Sequence, residues 1–473
     1  MATIQSKEIQ RQYSRARLAR DARFDGVFFT AVTTTGIYCR SICPAKPPLE
    51  KNVEYHDSSI SAAEAGFRPC LRCRPDSAPD SSAWLGRTST VQKAIKLIQS
   101  NALHESSIEA LAETLGISSR YLRQLFKQQF GISPKRFALH QQCLFAKKLL
   151  HETDMPITQI AFASGFGSIR RFNETIQEQL QLSPTEIRKK ALIMDSKTIQ
   201  SNESSIKLNL SYRPPFKWNQ ILDFLKLRLI AGLEWVENDT YGRTFQHKHF
   251  SGYFSIKPNS NHHSLEVTIQ SSDDSQLLFI TQKIKELFDL NTPINSIDKQ
   301  LKTELKDFIM YQDGLRIPGV WSGFEAGIRA ILGQQVSVKQ AHVLIEKLVK
   351  NLGESVQFTD TPAQHFFPKP EQVEASSLDF FRMPQARKDT LRRLANHVLT
   401  TKKPDDFDAW LSLKGIGQWT VNYVKLRAAK DPDIWLTGDA GVKNALKKIS
   451  HEIDIDAMRP WRSYLVFQLW NQL

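Results

Sequence analysis

No run of eighteen apolar residues occurs in the chain, so no segment is long enough to cross a membrane as a helix. The residues after Met1 are polar and contain no apolar secretory core, which makes the cytoplasm the expected compartment. Cysteine is scarce: five in 473 residues are too few for a disulfide framework, and a cytoplasmic chain would not keep one. Acidic side chains are also outnumbered, with 49 Asp and Glu against 63 Lys and Arg, a net charge of +14. The imbalance is local. Residues 1–190 hold 27 basic and 17 acidic side chains and carry +10 of it. A basic front half fits a polyanion held through phosphate contacts, and a basic face kept only for solubility has the same composition. With 41% hydrophobic and 24% charged residues, the chain is ordinary globular protein, and 473 residues exceed a single core and imply about two to four domains.

Four of the cysteines lie within the first 73 residues, as a C-x3-C pair (Cys39, Cys43) and a C-x2-C pair (Cys70, Cys73) separated by 26 residues. Two such hooks offer four thiolates to one tetrahedral Zn2+. The site can be purely structural. It can also do chemistry, because zinc holds a thiol ionised at neutral pH and the thiolate is the nucleophilic form of sulfur. Four thiolates on Zn2+ leave a formal charge of about −2, and turning one into a thioether leaves about −1, which lessens the repulsion of a polyanion without a change of fold. Phe24 to Val32 has strand composition and Thr33 to Gly36 a turn, which makes residues 1–80 a small α/β domain. Residues 74–88 are a linker rich in Pro, Ser and Asp. The fifth cysteine, Cys143, is most simply a small buried residue of a helix.

From 88 to 190 a pattern repeats at 49 residues. Ile108, Leu111, Ala112 and Leu115 share a helical face, Gly116-Ile117-Ser118 turns, and Tyr121, Leu122, Leu125 and Phe126 mark a second helix. Ile157, Ile160 and Ala161, then Gly165 to Ser168, then Phe172 and Ile176 repeat it. This predicts an all-α pair of helix-turn-helix units, with Arg120, Arg123, Arg170 and Arg171 placed to enter a major groove. A polar linker follows, then a β-rich stretch from Tyr212 to Leu278 in which Ser251 to Ile256 and Ser264 to Ile269 alternate as half-buried strands. Residues 281–473 read as helical, with helices over Trp321 to Leu332 and Val336 to Leu352 and an unassigned loop over 353–372.

Within that last region Leu411-Ser412-Leu413-Lys414-Gly415-Ile416-Gly417-Gln418-Trp419-Thr420 puts two glycines around one apolar residue between helical segments. Such a hairpin can aim backbone N–H groups at a phosphate, although the same turn also serves as plain punctuation. The helix it opens carries Trp419 and Tyr423 four apart on one face, and the chain returns with one carboxylate, Asp439. Asp439 has two available roles, helix N-cap for Ala440 onward and electrostatic catalyst.

The hairpin, the Trp-Thr after it, Asn422-Tyr423 and the acid twenty residues beyond Trp419 resemble the helix-hairpin-helix DNA glycosylases, and among them the AlkA-type 3-methyladenine glycosylases. Tyr212-Arg213-Pro214-Pro215-Phe216, Gly327 to Gln334 and Arg459 to Tyr464 agree, so the resemblance spans 206–473. Thr34 to Arg40 and Gly66 to Pro75 resemble the amino-terminal domain of the Ada alkylation-response proteins, and the paired helix-turn-helix units resemble the AraC-type regulators. The implied fold class is multidomain α and α+β: a zinc-binding α/β domain (1–80), an all-α tandem helix-turn-helix domain (88–190), a β-rich flank (206–313) and an all-α helix-hairpin-helix core (314–473). The resemblance implies that Cys39 takes a methyl group from a DNA phosphotriester, and that Arg40, Arg68 and Arg72 contact DNA. It further implies that Asp439 stabilises the cationic sugar as a base leaves, and that Trp419, Tyr423 and Trp470 line the base pocket. Gly415 and Gly417 would grip the backbone, and Gln335 would fill the gap left by the extruded base, where the family usually has an apolar residue. Gly438 also departs from the family, which usually has a second Asp before the acid.

No lysine stands out as a Schiff-base nucleophile, so the expected reaction is monofunctional hydrolysis that leaves an abasic site. The Pro-Cys-His-Arg motif of a further Ada domain is absent, and repair of O-alkylated bases is not expected. The implied cofactor is one Zn2+. The implied partners of a monomer are double-stranded alkylated DNA, promoter DNA and RNA polymerase, with no membrane. A competing reading keeps the regulator and lets the glycosylase region only bind DNA.

Overall fold

The computed structural model describes every residue except 1–6, 21–27, 57–60, 63–64, 71–72, 74, 76–85, 100–102, 104–105, 195–204, 248, 260–262, 293, 306–308, 359, 402, 450, 452 and 473. The chain forms two compact units, Met1–Gln141 and Gln142–Leu473.

In the first unit, strands β1 (Phe29–Val32), β2 (Ile37–Arg40), β3 (Val53–His56) and β4 (Arg68–Pro69) make one sheet in the order β3-β1-β2-β4. A tight turn pairs β1 antiparallel with β2, and β4 runs parallel to β2 with Ile37 opposite Arg68. That parallel register brings the second cysteine hook beside the first. Phe29, Ala31 and Tyr38 pack against Ala62 and Phe67. Phe28 and Tyr55 pack against Tyr13 and Ala16 of helix α1 (Lys7–Leu18). Farther along, α2 (Ile108–Thr114) and α3 (Ser119–Phe130) are each started by a serine, with Ser107 Oγ accepting from the Ala110 N–H and Ser118 Oγ from the Tyr121 N–H. Their apolar faces close on Val91, Ala94 and Ile98. Helix α4 (Pro134–Glu152) follows and contains the division between the two units at Gln141.

In the second unit, α5 (Ile157–Ala163) and α6 (Ile169–Leu180) repeat the motif, again with a serine cap, Ser168 Oγ accepting from the Arg171 N–H. The β-rich flank is a five-stranded antiparallel sheet of β5 (Ile206–Ser211), β6 (Glu234–Glu237), β7 (Thr240–His247), β8 (Phe250–Asn259) and β9 (Ser264–Ser271), ordered β5-β9-β8-β7-β6. On the edge strand β5, the Asn209 N–H donates to Glu152 Oε2 and its carbonyl accepts from Lys148 Nζ, which satisfies backbone groups that an open edge leaves bare.

Seven helices of the core position the site: α7 (Trp218–Lys226), α8 (Gly323–Leu332), α9 (Val338–Leu352), α10 (Gln385–Thr400), α11 (Gln418–Val424), α12 (Ala440–Lys447) and α13 (Arg462–Trp470). Helices α8 and α9 begin two residues later than their apolar patterns because Ser322 and Ser337 become N-caps, the latter in a reciprocal capping box with Gln340. The stretch expected as a loop contains a short helix, Pro370–Ala375, and a bridge between Ser355 and His365. One apolar cluster joins α8, α9, α10 and α11 around the fully buried Trp410, and a second joins α12 and α13. Sheet and helices are tied by a buried charge network. Arg243 lies 2.9 Å from Glu325 and 3.5 Å from Glu234, and Arg329 lies 2.7 Å from each acid. Among the described residues no helix is long and apolar enough to cross a membrane.

Candidate functional sites

Asp439 stands where extended chain turns into α12, with φ −62° and ψ 131°, and its Oδ1 accepts from the Val442 N–H at 2.9 Å. The same oxygen accepts from Trp470 Nε1 at 2.9 Å, and Oδ2 accepts from Trp419 Nε1 at 3.2 Å. The cap and the candidate site are therefore one carboxylate, aimed by three neutral N–H donors. The two tryptophans expected as pocket walls also orient the acid. Trp470 can come this close because position 441 is glycine: a Cβ there would lie 3.0 Å from Trp470 Cδ1 and 3.2 Å from Asp439 Oδ1. Trp419 stacks on Tyr423 at 5.4 Å between centroids and 26° between planes. Phe224 of α7 runs nearly parallel to Trp470, 6.5 Å away at 21°, and Phe467 packs against both rings at 5.4 and 5.0 Å. Neither Phe224 nor Gly441 was singled out from sequence, because each reads there as an ordinary member of a helix.

The hairpin is tightly specified. Gly415 has φ +96°, and a Cβ on it would fall 2.1 Å from Thr390 Oγ1, so no other residue fits. Thr390 and Arg393 of α10 both donate to the Lys414 carbonyl. Gly417 is exposed at the N-cap of α11, where no side chain caps the helix. The loop between α8 and α9 is fastened to the hairpin by Gln334, whose Nε2 donates to the Gly415 carbonyl at 3.2 Å and to Thr420 Oγ1 at 3.1 Å. Arg387 Nη2 holds the Gln334 carbonyl at 2.8 Å. Beside it Gln335 is exposed with φ +57°, a left-handed conformation that places it at the tip of a constrained loop. Flat rings around a fixed carboxylate, next to a hairpin of exposed backbone, can hold a planar base and stabilise positive charge at its sugar.

In the first unit the four cysteine sulfurs all lie within 4.8 Å of one another, and Cys43 Sγ is 3.9 Å from Cys70 Sγ. A tetrahedron with Zn–S distances of about 2.3 Å has S–S edges of about 3.8 Å, so the quartet fits one zinc ion. Hydrogen bonding to Cys43, then to Cys73, pushes the Cys39 thiol far up, and the hydrogen bond from Cys39 pulls Cys43 down to about 2. Four crowded thiols cannot all ionise without a cation among them, which is the charge a divalent ion supplies. Cys70 and Cys73 are buried, while Cys39 and Cys43 are half exposed beside a cleft lined by Arg17, Arg20, Lys46 and Arg68.

Arg68 is exposed at the start of β4, as a DNA contact requires. Arg40 differs from the expectation. It is 1% exposed, its Nη1 donates to the Cys73 carbonyl at 3.3 Å and its N–H points to Cys73 Sγ at 3.4 Å. Its place next to Cys39 in β2 turns the side chain inward, where it braces the second hook. Arg72 lies outside the described residues. Arg120, Arg123, Arg170 and Arg171 are all exposed on α3 and α6. Arg123 pairs with Glu109 and Arg170 with Glu174, each at 2.9 Å, and such exposed pairs exchange readily for phosphate or base contacts.

Three family models match the chain: the metal binding domain of Ada over residues 12–76, a helix-turn-helix domain over 111–190, and the AlkA N-terminal domain over 207–322. A Mycobacterium tuberculosis protein named "Probable bifunctional transcriptional activator/DNA repair enzyme AlkA" is 32% identical over 97% of this chain and 95% of its own length. The Escherichia coli DNA-3-methyladenine glycosylase 2 is 30% identical over 55% of this chain and 95% of its own. The Escherichia coli bifunctional transcriptional activator/DNA repair enzyme Ada is 33% identical over 36% of this chain and 47% of its own.

Proposed function

The chain belongs to the family of bifunctional transcriptional activator/DNA repair enzymes, and from that premise we propose that it senses and repairs alkylated DNA with four modules: 1–80, 88–190, 206–313 and 314–473. The first would accept a methyl group, the second would bind promoter DNA, and the last two would form a DNA-3-methyladenine glycosylase. The observation that carries the enzymatic part is the single carboxylate of Asp439, held by Val442, Trp419 and Trp470 among flat rings.

The glycosylase step follows from charge. A base alkylated at N3 or N7 is cationic, is a good leaving group and is attracted to aromatic faces, here those of Trp419, Tyr423 and Trp470. As the glycosidic bond stretches, positive charge grows on the sugar and Asp439 stabilises it, then orients the water that completes hydrolysis. Gly415 and Gly417 hold the backbone of the flipped nucleotide and Gln335 fills the space it vacates. No lysine takes part, so the product is an abasic site.

At the hooks, zinc when bound keeps the thiols ionised. The Cys39 sulfur attacks the methyl carbon of a phosphotriester, an S–C bond forms, the O–CH3 bond breaks, and the phosphodiester leaves as the anion. Arg68, with Arg20 and Lys46 along the same cleft, steadies the phosphates. Arg120, Arg123, Arg170 and Arg171 read the major groove. The regulator acts as a monomer in the cytoplasm, with RNA polymerase as its protein partner.

Assaying base release from methylated duplex, with intact-mass measurement of the same sample, tests both chemistries together. Free 3-methyladenine and one added methyl per chain are expected. DNA binding without base release would leave the competing reading, a regulator whose glycosylase region only binds DNA.

A further inference from the structure

Four guanidinium groups line one small cavity, and among the described residues two of them are paired with carboxylates and two are not. Arg243 and Arg329 share Glu234 and Glu325. Arg427 is 4% exposed and directs its donors to the carbonyls of Pro318 and Gly319 and to the Tyr423 hydroxyl at 3.1 Å. Arg228 is half-buried, donates to the Phe224 carbonyl at 3.3 Å, and has no carboxylate partner among the described residues. Its Cζ rests 3.8 Å from the Phe224 ring centroid, and that of Arg427 lies 5.0 Å from the same ring. A guanidinium removed from water without a counter-ion costs folding energy, and an apolar residue would cover Phe224 as well. Burial, with Arg427 alongside, lowers the Arg228 pKa to about 10, and Arg228 is within electrostatic reach of both Tyr423 and Asp439. Phe224 in turn is the ring that runs nearly parallel to Trp470, so the unpaired charge stands beside the aromatic walls next to the carboxylate.

We propose that Arg228 is a specificity-determining residue of the base pocket: its charge weighs against cationic lesions and assists the departure of neutral ones. This rests on the reading of Phe224, Trp419, Tyr423 and Trp470 as the pocket that takes the flipped base. When the C1′–N bond breaks, the electron pair stays with the base. A lesion that began cationic is repelled by the guanidinium as it enters and sheds that repulsion as it departs neutral, so relative to the unflipped duplex it gains nothing. A lesion that began neutral departs as an anion, is stabilised by the nearby guanidinium, and afterwards takes a proton from water, whose oxygen has bonded to C1′. Two unit charges about 8 Å apart at an effective dielectric near 20 change a rate by about 30-fold. Asp439 thus serves every substrate, and Arg228 decides which substrates benefit.

The test compares single-turnover base release by the full-length protein from two duplexes, one with a single 7-methyldeoxyguanosine (cationic) and one with a single deoxyinosine (neutral). Arg228→Met removes the charge and keeps the packing against Phe224. It should lower release from the deoxyinosine duplex about 30-fold, and leave the cationic duplex within about threefold of the parental rate or faster. Arg228→Lys, which restores a cation, should recover most of the loss. Equal losses on both duplexes, with an intact melting curve, would make Arg228 a support of Asp439 and overturn the inference. So would no loss on either, or a parental protein inert toward deoxyinosine. Failure of the underlying pocket reading has a different signature: Asp439→Asn would then release the cationic base at the parental rate, and the inference would fall with it.

Discussion

Replacing Asp439 by asparagine removes one charge and little else, which makes it the sharpest probe of the glycosylase site. The oxygen of the new side-chain amide can keep the two bonds now made by Oδ1, to the Val442 N–H and to Trp470 Nε1. The amide nitrogen would then face the Trp419 Nε1–H, which now donates to Oδ2 at 3.2 Å, and one hydrogen bond is lost. That loss costs about 1 kcal/mol, or about 1–2 °C in the melting temperature of a unit of this size. The effect on rate is far larger. A carboxylate about 4 Å from a full positive charge at an effective dielectric near 20 is worth about 4 kcal/mol, close to a factor of about 1000. Because the sugar is only partly cationic in the transition state, a loss of about 100- to 1000-fold in single-turnover release of 3-methyladenine is expected, with nearly unchanged duplex affinity. Asp439→Ala separates the roles from the other side: it also removes the cap and strands Trp470 Nε1, so it should melt distinctly lower than Asp439→Asn while being equally slow. If the asparagine variant releases 3-methyladenine at close to the parental rate, the carboxylate is a cap alone and the catalytic argument fails.

Other expectations are independent of that one. The protein should carry one zinc per chain, and peptide mapping after exposure to methylphosphotriester DNA should find methyl on Cys39, whereas methyl chiefly on Cys43, Cys70 or Cys73 contradicts the assignment. Methylated protein should bind its DNA site more tightly than unmethylated protein, with the gap narrowing as salt rises; equal affinities at low salt rule out the electrostatic account. Arg123→Ala and Arg170→Ala should weaken specific binding more than non-specific binding, as measured by competition between site and random duplex. Burial, then Arg329 and Arg228, hold His342 down to about 4. An unfolded histidine takes up its proton near pH 6.5 and the folded one only at about pH 4, so stability should fall as pH drops across that window. His342→Gln should flatten that part of the melting curve against pH, and an unaltered slope would refute it.

What could be read from the sequence was whatever a few consecutive residues determine. The hooks at Cys39–Cys43 and Cys70–Cys73, the repeated helix pairs and the Gly415 hairpin are each set by local spacing and backbone conformation, and all stand where the pattern put them. Side-chain direction is not local in that sense. Arg40 is expected against DNA because it adjoins a hook in sequence, yet β2 pairs with strands on both sides and turns that residue into the interior. Phe224 lies in α7 and Arg228 in the turn just after it, about 200 residues before the hairpin, and no period in α7 separates a ring facing a pocket from a ring filling a core. At Asp439 local pattern alone supports either a cap or a catalyst, and only the resemblance points to catalysis. In the structure the two roles are compatible. Capping requires an acceptor fixed at the start of α12, and charge stabilisation requires a carboxylate fixed beside the departing base. The two indoles that share its oxygens let one rigid group meet both requirements. The stability that the cap contributes is therefore also what keeps the carboxylate still, and preorganisation of this kind is most of what electrostatic catalysis demands of a protein.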